Sequence, residues 1–395
     1  MKVAAQTAPA ASTRVASVDV LRGIAVALMA IDHVRVFSGL PAGGPSPGIF
    51  FTRWVTHFVA PIFIFLAGTA AYLHGRRLGE IGKLSRFLLA RGLWLVLLEL
   101  TVIRLAWTFN FDVGSYMLAG VIWVIGWSMV ILAGLVRLPT YAIGAFGIAI
   151  IALHNIMDIV ARPHMDAIRS SALSWLWGMV YFAFEVDGVG PLVVLYSLVP
   201  WVGVMAAGYA FGNVFSLDAE RRRRLCLRIG GAAIVLFVLL RALAVYGDPR
   251  PWHAAPSLLP SVLSFLGTTK YPASLLFLLM TLGPAILLLP FLEHPTSRLA
   301  RALQVFGRVP MFYYLLHIPL IHVLAIGMSL ARSGSVSPWL FENHPMGNSD
   351  APPDYVWHLW QLYLVTAVAV AILYVACRWF GEVKRTSRNP SLSYL

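Results

Sequence analysis

The stretch "MAIDHVRVF" (residues 29–37) places a carboxylate, an imidazole and a guanidinium, those of Asp32, His33 and Arg35, at the end of an apolar run that begins near residue 18. An ionisable group at membrane depth costs about 2.5–3.5 kcal/mol on insertion scales, so it survives only with a partner or a water-filled cavity. The chemistry open to such a set is proton transfer beside a developing negative charge. A histidine is the usual general base near neutral pH, and preorganised positive groups in a dry site stabilise an oxyanion. Residues three or four apart on a helix meet, so Asp32 is expected to pair with Arg35 and His154 with Asp158, while Asp32 and His33 look in different directions. His33 and His57 have no carboxylate at helical spacing and are the first candidates for the base, with Asp32 or Asp158 as the orienting carboxylate. Arg35, Glu99, His154, Arg241, Lys270 and His317 are candidates for oxyanion or substrate binding. Each also has a plainer reading: Asp32 with Arg35 as an ion pair at a helix end, Glu99 with Arg241 as a buried inter-helix pair, His317 as a hydrogen-bonded packing residue.

The elements that must hold these groups follow from composition. The 395 residues are 59% hydrophobic and 12% charged, against roughly 25% charged in soluble domains. The apolar material falls into ten stretches of about the 20 residues that a helix needs to cross a bilayer: 18–38, 56–74, 86–106, 117–136, 140–160, 192–213, 229–247, 272–292, 310–331 and 357–378. The expected fold is therefore an all-α polytopic membrane protein, about ten transmembrane helices in one bundle. A transmembrane domain over 18–380 is flanked by short tails at 1–17 and 381–395. Two weaker runs, 172–186 and 256–268, are too short or too broken by Pro to span and suit interfacial or re-entrant pieces.

The net charge of +13 sits in short segments between apolar runs rather than on one basic arm, which reads as topology signals and not as nucleic-acid binding. Lys and Arg concentrate at 76–91, 221–228, 298–308 and 378–388, placing these segments and both termini in the cytoplasm. The rival reading, a cleaved signal peptide ending near residue 42, would discard Asp32, His33 and Arg35 and leave an odd number of spans. On this orientation Asp32, His33, His57, Glu99, Arg104, His154, Asp158, Arg241 and Lys270 share one depth toward the outer face, which implies a polar chamber fed by several helices. Residues 312–327, "FYYLLHIPLIHVLAIG", carry His317 and His322 on different helix faces around Pro319, which should kink the helix. Cys226 and Cys377 imply neither a disulfide framework nor a metal site, and no metal is expected. P-loop, GxGxxG, HExxH and GxSxG motifs are absent, leaving soluble-type NTPase or hydrolase chemistry unsupported.

Four segments carry a resemblance to a family. "SVDVLRGIAVALMAIDH" (17–33), "THFVAPIFIFLAGTAAYL" (56–73), "KYPASLLFLLMTLGP" (270–284) and "VPMFYYLLHIPLIHVLA" (309–325) are similar to the catalytic-domain family of heparan-α-glucosaminide N-acetyltransferase and its bacterial relatives, a branch of the membrane acyltransferases. The resemblance implies a multi-pass protein of the bacterial inner membrane that moves an acetyl group from cytoplasmic acetyl-CoA, or another acyl-CoA, to an amino or hydroxyl group of an extracytoplasmic sugar. The lipid bilayer, the acyl-CoA and a glycan acceptor are then its partners, and a homodimer is a candidate assembly. The animal enzyme carries its catalytic His in the first outer loop. Here that loop, 38–56, has none, and the base role is expected to fall to His33 or His57 at its borders. At the inner end of the first span Asp19 complements the helix dipole, and Arg22, three residues on, calls for an anion; with Arg76 and Arg77 it is the expected site for the donor's phosphates. An anion or proton-coupled transporter is the alternative that intramembrane charges and a Pro-interrupted span also suit.

Overall fold

The computed structural model describes residues 14–43, 46–172, 174–182, 192–343, 345 and 350–387. The parts of the expected tails at 1–13 and 388–395, and of the weak run at 173 and 183–186, lie outside the described residues.

Helix follows helix along the chain: α1 (Ala16–Phe37), α2 (Pro47–Thr56), α3 (Val59–Leu78) and α4 (Ile81–Leu98), then a π-turn at Glu99–Ile103 and α5 (Arg104–Thr108). Strand β1 (Met117–Ala119) leads into α6 (Val121–Leu135), followed by α7 (Thr140–Leu153), α8 (Ile156–Ala161), α9 (Met165–Ser170) and α10 (Ser174–Trp177). Strand β2 (Leu192–Val194) precedes α11 (Leu198–Phe211), α12 (Ala219–Leu243), α13 (Leu258–Leu266), α14 (Leu275–Leu288), α15 (Arg298–Arg308), α16 (Pro310–Ser333) and α17 (Leu359–Thr386).

Among the described residues, six helices are long and apolar enough to cross a membrane: Pro47–Leu78, Leu198–Ser216, Ala219–Leu243, Leu275–Leu292, Pro310–Ser333 and Leu359–Thr386. A seventh forms if the pair Thr140–Leu153 and Ile156–Ser170, bent by 41°, is one span. Ten were expected. The other stretches are helical, yet each has a reason to fall short: α1 carries Asp19, Arg22, Asp32 and Arg35, α4 carries Lys83, Arg86 and Arg91, and α6 has only 15 residues. The stretches read as spans from 117 and 192 do not begin as helix. Their first residues pair as two short parallel strands, Met117 with Leu192 through Ala119 with Val194. Extended backbone at such a depth is tolerated where it is buried in protein or lines a cavity, and Leu118 and Leu195 do line one. Residues 258–266 form a nine-residue helix with no buried residue, in keeping with an interfacial piece.

Helix α1 is the hub, packed against α2, α3, α15, α16 and α17. Lipid offers hydrocarbon as apolar as any side chain, so helices associate where small residues let backbones approach. At the tightest crossing, a Cβ on Gly307 of α15 would lie 1.7 Å from the Asp19 carbonyl oxygen, and one on Gly23 of α1 would lie 1.8 Å from that of Leu303. Gly68 of α3 and Gly208 of α11 meet in the same reciprocal way, each facing a backbone carbonyl at 2.1 Å. Outward, α12 exposes Val235, Leu236, Val238 and Leu239, and α17 exposes Leu364, Val368, Ile372 and Val375. Apolar bands of this extent suit acyl chains rather than water. Cys226 and Cys377 are buried free thiols.

Candidate functional site

Asp32 lies near the C-terminal end of α1, where helical spacing brings Arg35 Nε to 3.3 Å from its Oδ1, as expected. The stronger partner was not foreseen. Arg53 of α2 donates from Nη1 to both carboxylate oxygens at 2.7 and 2.8 Å. Arg35 is further held by the Leu40 carbonyl at 3.0 Å. Both guanidiniums are buried, and a buried carboxylate is stable only when paired and hydrogen-bonded in this manner.

His33, one residue on, points elsewhere, as the spacing required. Its Nδ1 lies 2.6 Å from Nε2 of His317 on α16, with the two rings inclined by 23°. The Trp107 indole stands edge-on against His33 at 4.8 Å between centroids. His317 is fully buried, and its Nδ1 donates to the carbonyls of Tyr314 at 2.6 Å and Tyr313 at 3.2 Å. Neither Asp32 nor Asp158 is bonded to a candidate base.

Glu99 opens the π-turn that interrupts the helix between α4 and α5; such local unwinding often marks a working site. Its Oε2 accepts from the backbone N–H groups of Ile122 and Trp123 at 3.0 and 3.2 Å, so the carboxylate caps the N-terminus of α6. A Cβ on Gly120 would stand 2.5 Å from its Oε1, so a side chain there would make the Glu99 carboxylate shift. Asp32, His33, Glu99, Trp107, Tyr196 and Tyr271 line one cavity of about 40 Å³, and Tyr314 and Val121 complete part of its wall.

Val121 and Tyr314 also line a second, larger cavity of about 750 Å³, within the range of about 300–1,000 Å³ typical of ligand sites. Its wall is apolar along Phe63, Leu88, Leu95, Ile125 and Met129, and it is bordered by Arg14, Arg22, His74, Arg91 and Lys384. Those cations come from the start of α1, the end of α3, α4 and the end of α17, so both described ends of the chain meet here. Arg22 reaches the Gly307 carbonyl at 3.3 Å and Asp19 at 3.5 Å. Asp19 Oδ2 is buried with no hydrogen-bond partner among the described residues. Arg76 and Arg77 do not line this cavity; Arg76 donates to Ser216 Oγ at 2.7 Å on the surface.

The single outer chamber inferred from depth is only partly assembled. Asp32, His33, Glu99 and His317 come together, with Arg35 behind Asp32. Lys270 lies close by, its Nζ 5.2 and 5.8 Å from the ring centres of Tyr271 and Tyr196. His57, at the junction of α2 and α3, packs edge-on against Phe277, and its buried Nδ1 has no partner among the described residues. His154 does not pair with Asp158: its nitrogens face the carbonyls of Ile150 and Ala273 at 2.9 and 2.8 Å, and Asp158 accepts from Asn155 at 2.7 Å instead. Glu99 and Arg241 are likewise no pair. Arg241 binds the carbonyls of Phe265, Ser264, Gly267 and Arg250 at 2.8–3.1 Å and lies 3.9 Å from Asp248. Local carbonyls satisfy these side chains where they stand, so shared depth did not mean a shared site. Arg104 is consumed in the same way by carbonyls of the loop that follows it.

Sequence reasoning missed Arg53, which its place near a loop marked only as one of several outer cations. It also missed Tyr196 and Tyr271, Arg14, Arg91 and Lys384 at the large cavity, and Asp248, which accepts from Thr269 and Ser274 at 2.7–2.8 Å. Short-range spacing carried no signal for them, because their partners lie on other helices.

A search of curated proteins returns no match to this chain. The family model described as "Heparan-alpha-glucosaminide N-acetyltransferase, catalytic" matches residues 14–247, more than half of the chain, and reaches from Arg14 through α1, α2, α3 and the Glu99 turn to the end of α12. The chain belongs to the heparan-α-glucosaminide N-acetyltransferase catalytic family.

Proposed function

We propose that this chain is a transmembrane acetyltransferase that takes the acetyl group of acetyl-CoA from the side that Arg14 and Lys384 border and passes it to an amino or hydroxyl group of a sugar entering from the opposite side. The observation that carries this reading is a pair of cavities that share Val121 and Tyr314 in their walls. A long apolar cavity with cations at its border suits a donor with phosphates at one end and an acyl thioester at the other. Arg22, with Arg14, Arg91 and Lys384, holds the phosphates, taking the place expected of Arg76 and Arg77. The apolar wall between Phe63 and Met129 takes the uncharged arm, and the thioester comes to the wall that the two cavities share, where His33 lines the smaller one.

There His33 removes the proton from the acceptor nitrogen or oxygen as that atom attacks the acyl carbon. The carbon–sulfur bond breaks, and the proton passes from His33 to the leaving thiolate, so base and acid are one residue. Lys270 and the Asp32–Arg53–Arg35 cluster set the local field. Asp32 acts by holding α1 and α2 together, not as the orienting carboxylate. Positive-inside counting puts the cationic border in the cytoplasm.

The test is purified protein in liposomes with acetyl-labelled CoA and an amino-sugar acceptor. Label should appear on the acceptor with one free CoA thiol released per transfer, and His33→Ala should lower the rate on the order of 10²–10⁴-fold. Full transfer in His33→Ala removes His33 as the base. Movement of an unmodified solute without CoA release would place the chain among transporters instead.

A further inference from the structure

The His33–His317 contact carries an inference that rests on the reading above. His317 Nδ1 faces only carbonyl oxygens, those of Tyr313 and Tyr314. A carbonyl accepts and never donates, so that nitrogen holds the ring's proton and Nε2 of a neutral His317 is a bare lone pair. The contact at 2.6 Å from His33 Nδ1 to His317 Nε2 then requires the hydrogen to sit on His33 Nδ1. By the same rule His33 Nε2 is left bare, and His33 is among the residues that line the small cavity.

We propose that His317 is the positioning residue of the site: it holds His33 in the tautomer whose Nε2 is free to take the acceptor's proton, the task that an orienting carboxylate performs elsewhere. The chain of bonds runs Tyr314 carbonyl, His317, His33, cavity, and each donor has a single direction. When Nε2 takes a proton, His33 becomes an imidazolium whose Nδ1–H still donates to His317, so the charge develops against a lone pair already in place. Trp107, edge-on to His33, keeps the ring from turning. A carboxylate in this place would add a buried negative charge beside Asp32; a neutral imidazole does not.

The experiment compares His317→Ala and His317→Gln with wild type and with His33→Ala. Glutamine keeps an acceptor near the place of Nε2, whereas alanine leaves His33 free to adopt either tautomer. His317→Ala is expected to lower kcat on the order of 10²-fold with the KM for acetyl-CoA within about twofold, and His317→Gln to recover most of the loss. Nitrogen-15 NMR of the histidine rings gives a reading independent of turnover: His33 in wild type and His317→Gln should show the proton on Nδ1, and in His317→Ala a mixture of the two tautomers. Unchanged kcat in His317→Ala, or loss in His317→Gln equal to that in His317→Ala while both retain the wild-type melting temperature, overturns the positioning role. If His33→Ala itself keeps full transfer, His33 is not the base and the positioning role falls with it; if wild type releases no CoA with the acceptor present, the functional reading fails first, and the two failures are thereby told apart.

Discussion

Helix α1 carries the same short pattern at both ends, an aspartate followed three residues later by an arginine, and the two copies meet opposite fates. Asp19 and Arg22 stand 3.5 Å apart, and Asp32 and Arg35 stand 3.3 Å apart, so helical spacing performs equally at each. At the Asp32 end a second helix brings Arg53 within 2.7 Å, a loop carbonyl occupies Arg35, and the cluster is closed. At the Asp19 end, α15 approaches tightly through Gly307, whose carbonyl accepts from Arg22 at 3.3 Å. One carboxylate oxygen of Asp19 has no hydrogen-bond partner among the described residues, and Arg22 borders the large cavity. The same pattern is a lock where a third charged group completes it and a candidate binding element where none does. Burial of charge alone therefore says little about use; what matters is whether the protein has already spent its hydrogen bonds.

The contrast can be broken most forcefully at its closed end. Arg53→Ala leaves Asp32 buried with one long bond, and removing one partner of a buried pair costs about 3–5 kcal/mol. Thermal unfolding in detergent should show a large fall in melting temperature, and an Arg22→Ala variant losing as much would erase the distinction between the two ends. Next in size is Gly307→Ala. A methyl group 1.7 Å from the Asp19 carbonyl forces α1 and α15 apart, at a cost of about 1–3 kcal/mol or more for an overpacked contact. Gly327→Ala, with nothing within 4 Å of its added Cβ, is the neutral control in the same unfolding series. The smallest effect on stability should come from Arg22→Gln, whose loss appears in binding. Removing a charge-assisted bond of about 1.5–3 kcal/mol should raise the KM for acetyl-CoA on the order of 10- to 100-fold and leave kcat nearly unchanged. A compensating gain of affinity, or no change in KM, would take Arg22 out of the donor site.

Much of the site could be read from the chain before its partners were known. Asp32 with Arg35, the divergence of His33 from Asp32, and the separation of His317 from His322 all follow from 3.6 residues per turn. Expected depth along a span was a poor guide, because His154, Arg241 and Arg104, expected at the depth of His33, bond to carbonyls where they stand. Apolar length also overstated the spans. Residues 117–119 and 192–194 are hydrophobic enough for a helix, and their pairing as strands depends on the two segments meeting, which neither segment encodes alone.

The amino-acid order by itself determined a helical membrane protein with ionisable groups kept in α1, the local ion pair of Asp32 with Arg35, and the resemblance that the family match bears out, since each depends on composition or on contacts within about a turn. Tertiary structure alone decided that Arg53 rather than Arg35 is the main partner of Asp32, that Glu99 caps α6 and has no bond to Arg241, and that His317 lies against His33 across 284 positions of chain. These pairings depend on how closely the backbones of separate helices approach, a distance fixed by glycines and packing on both surfaces at once, and no local spacing contains it.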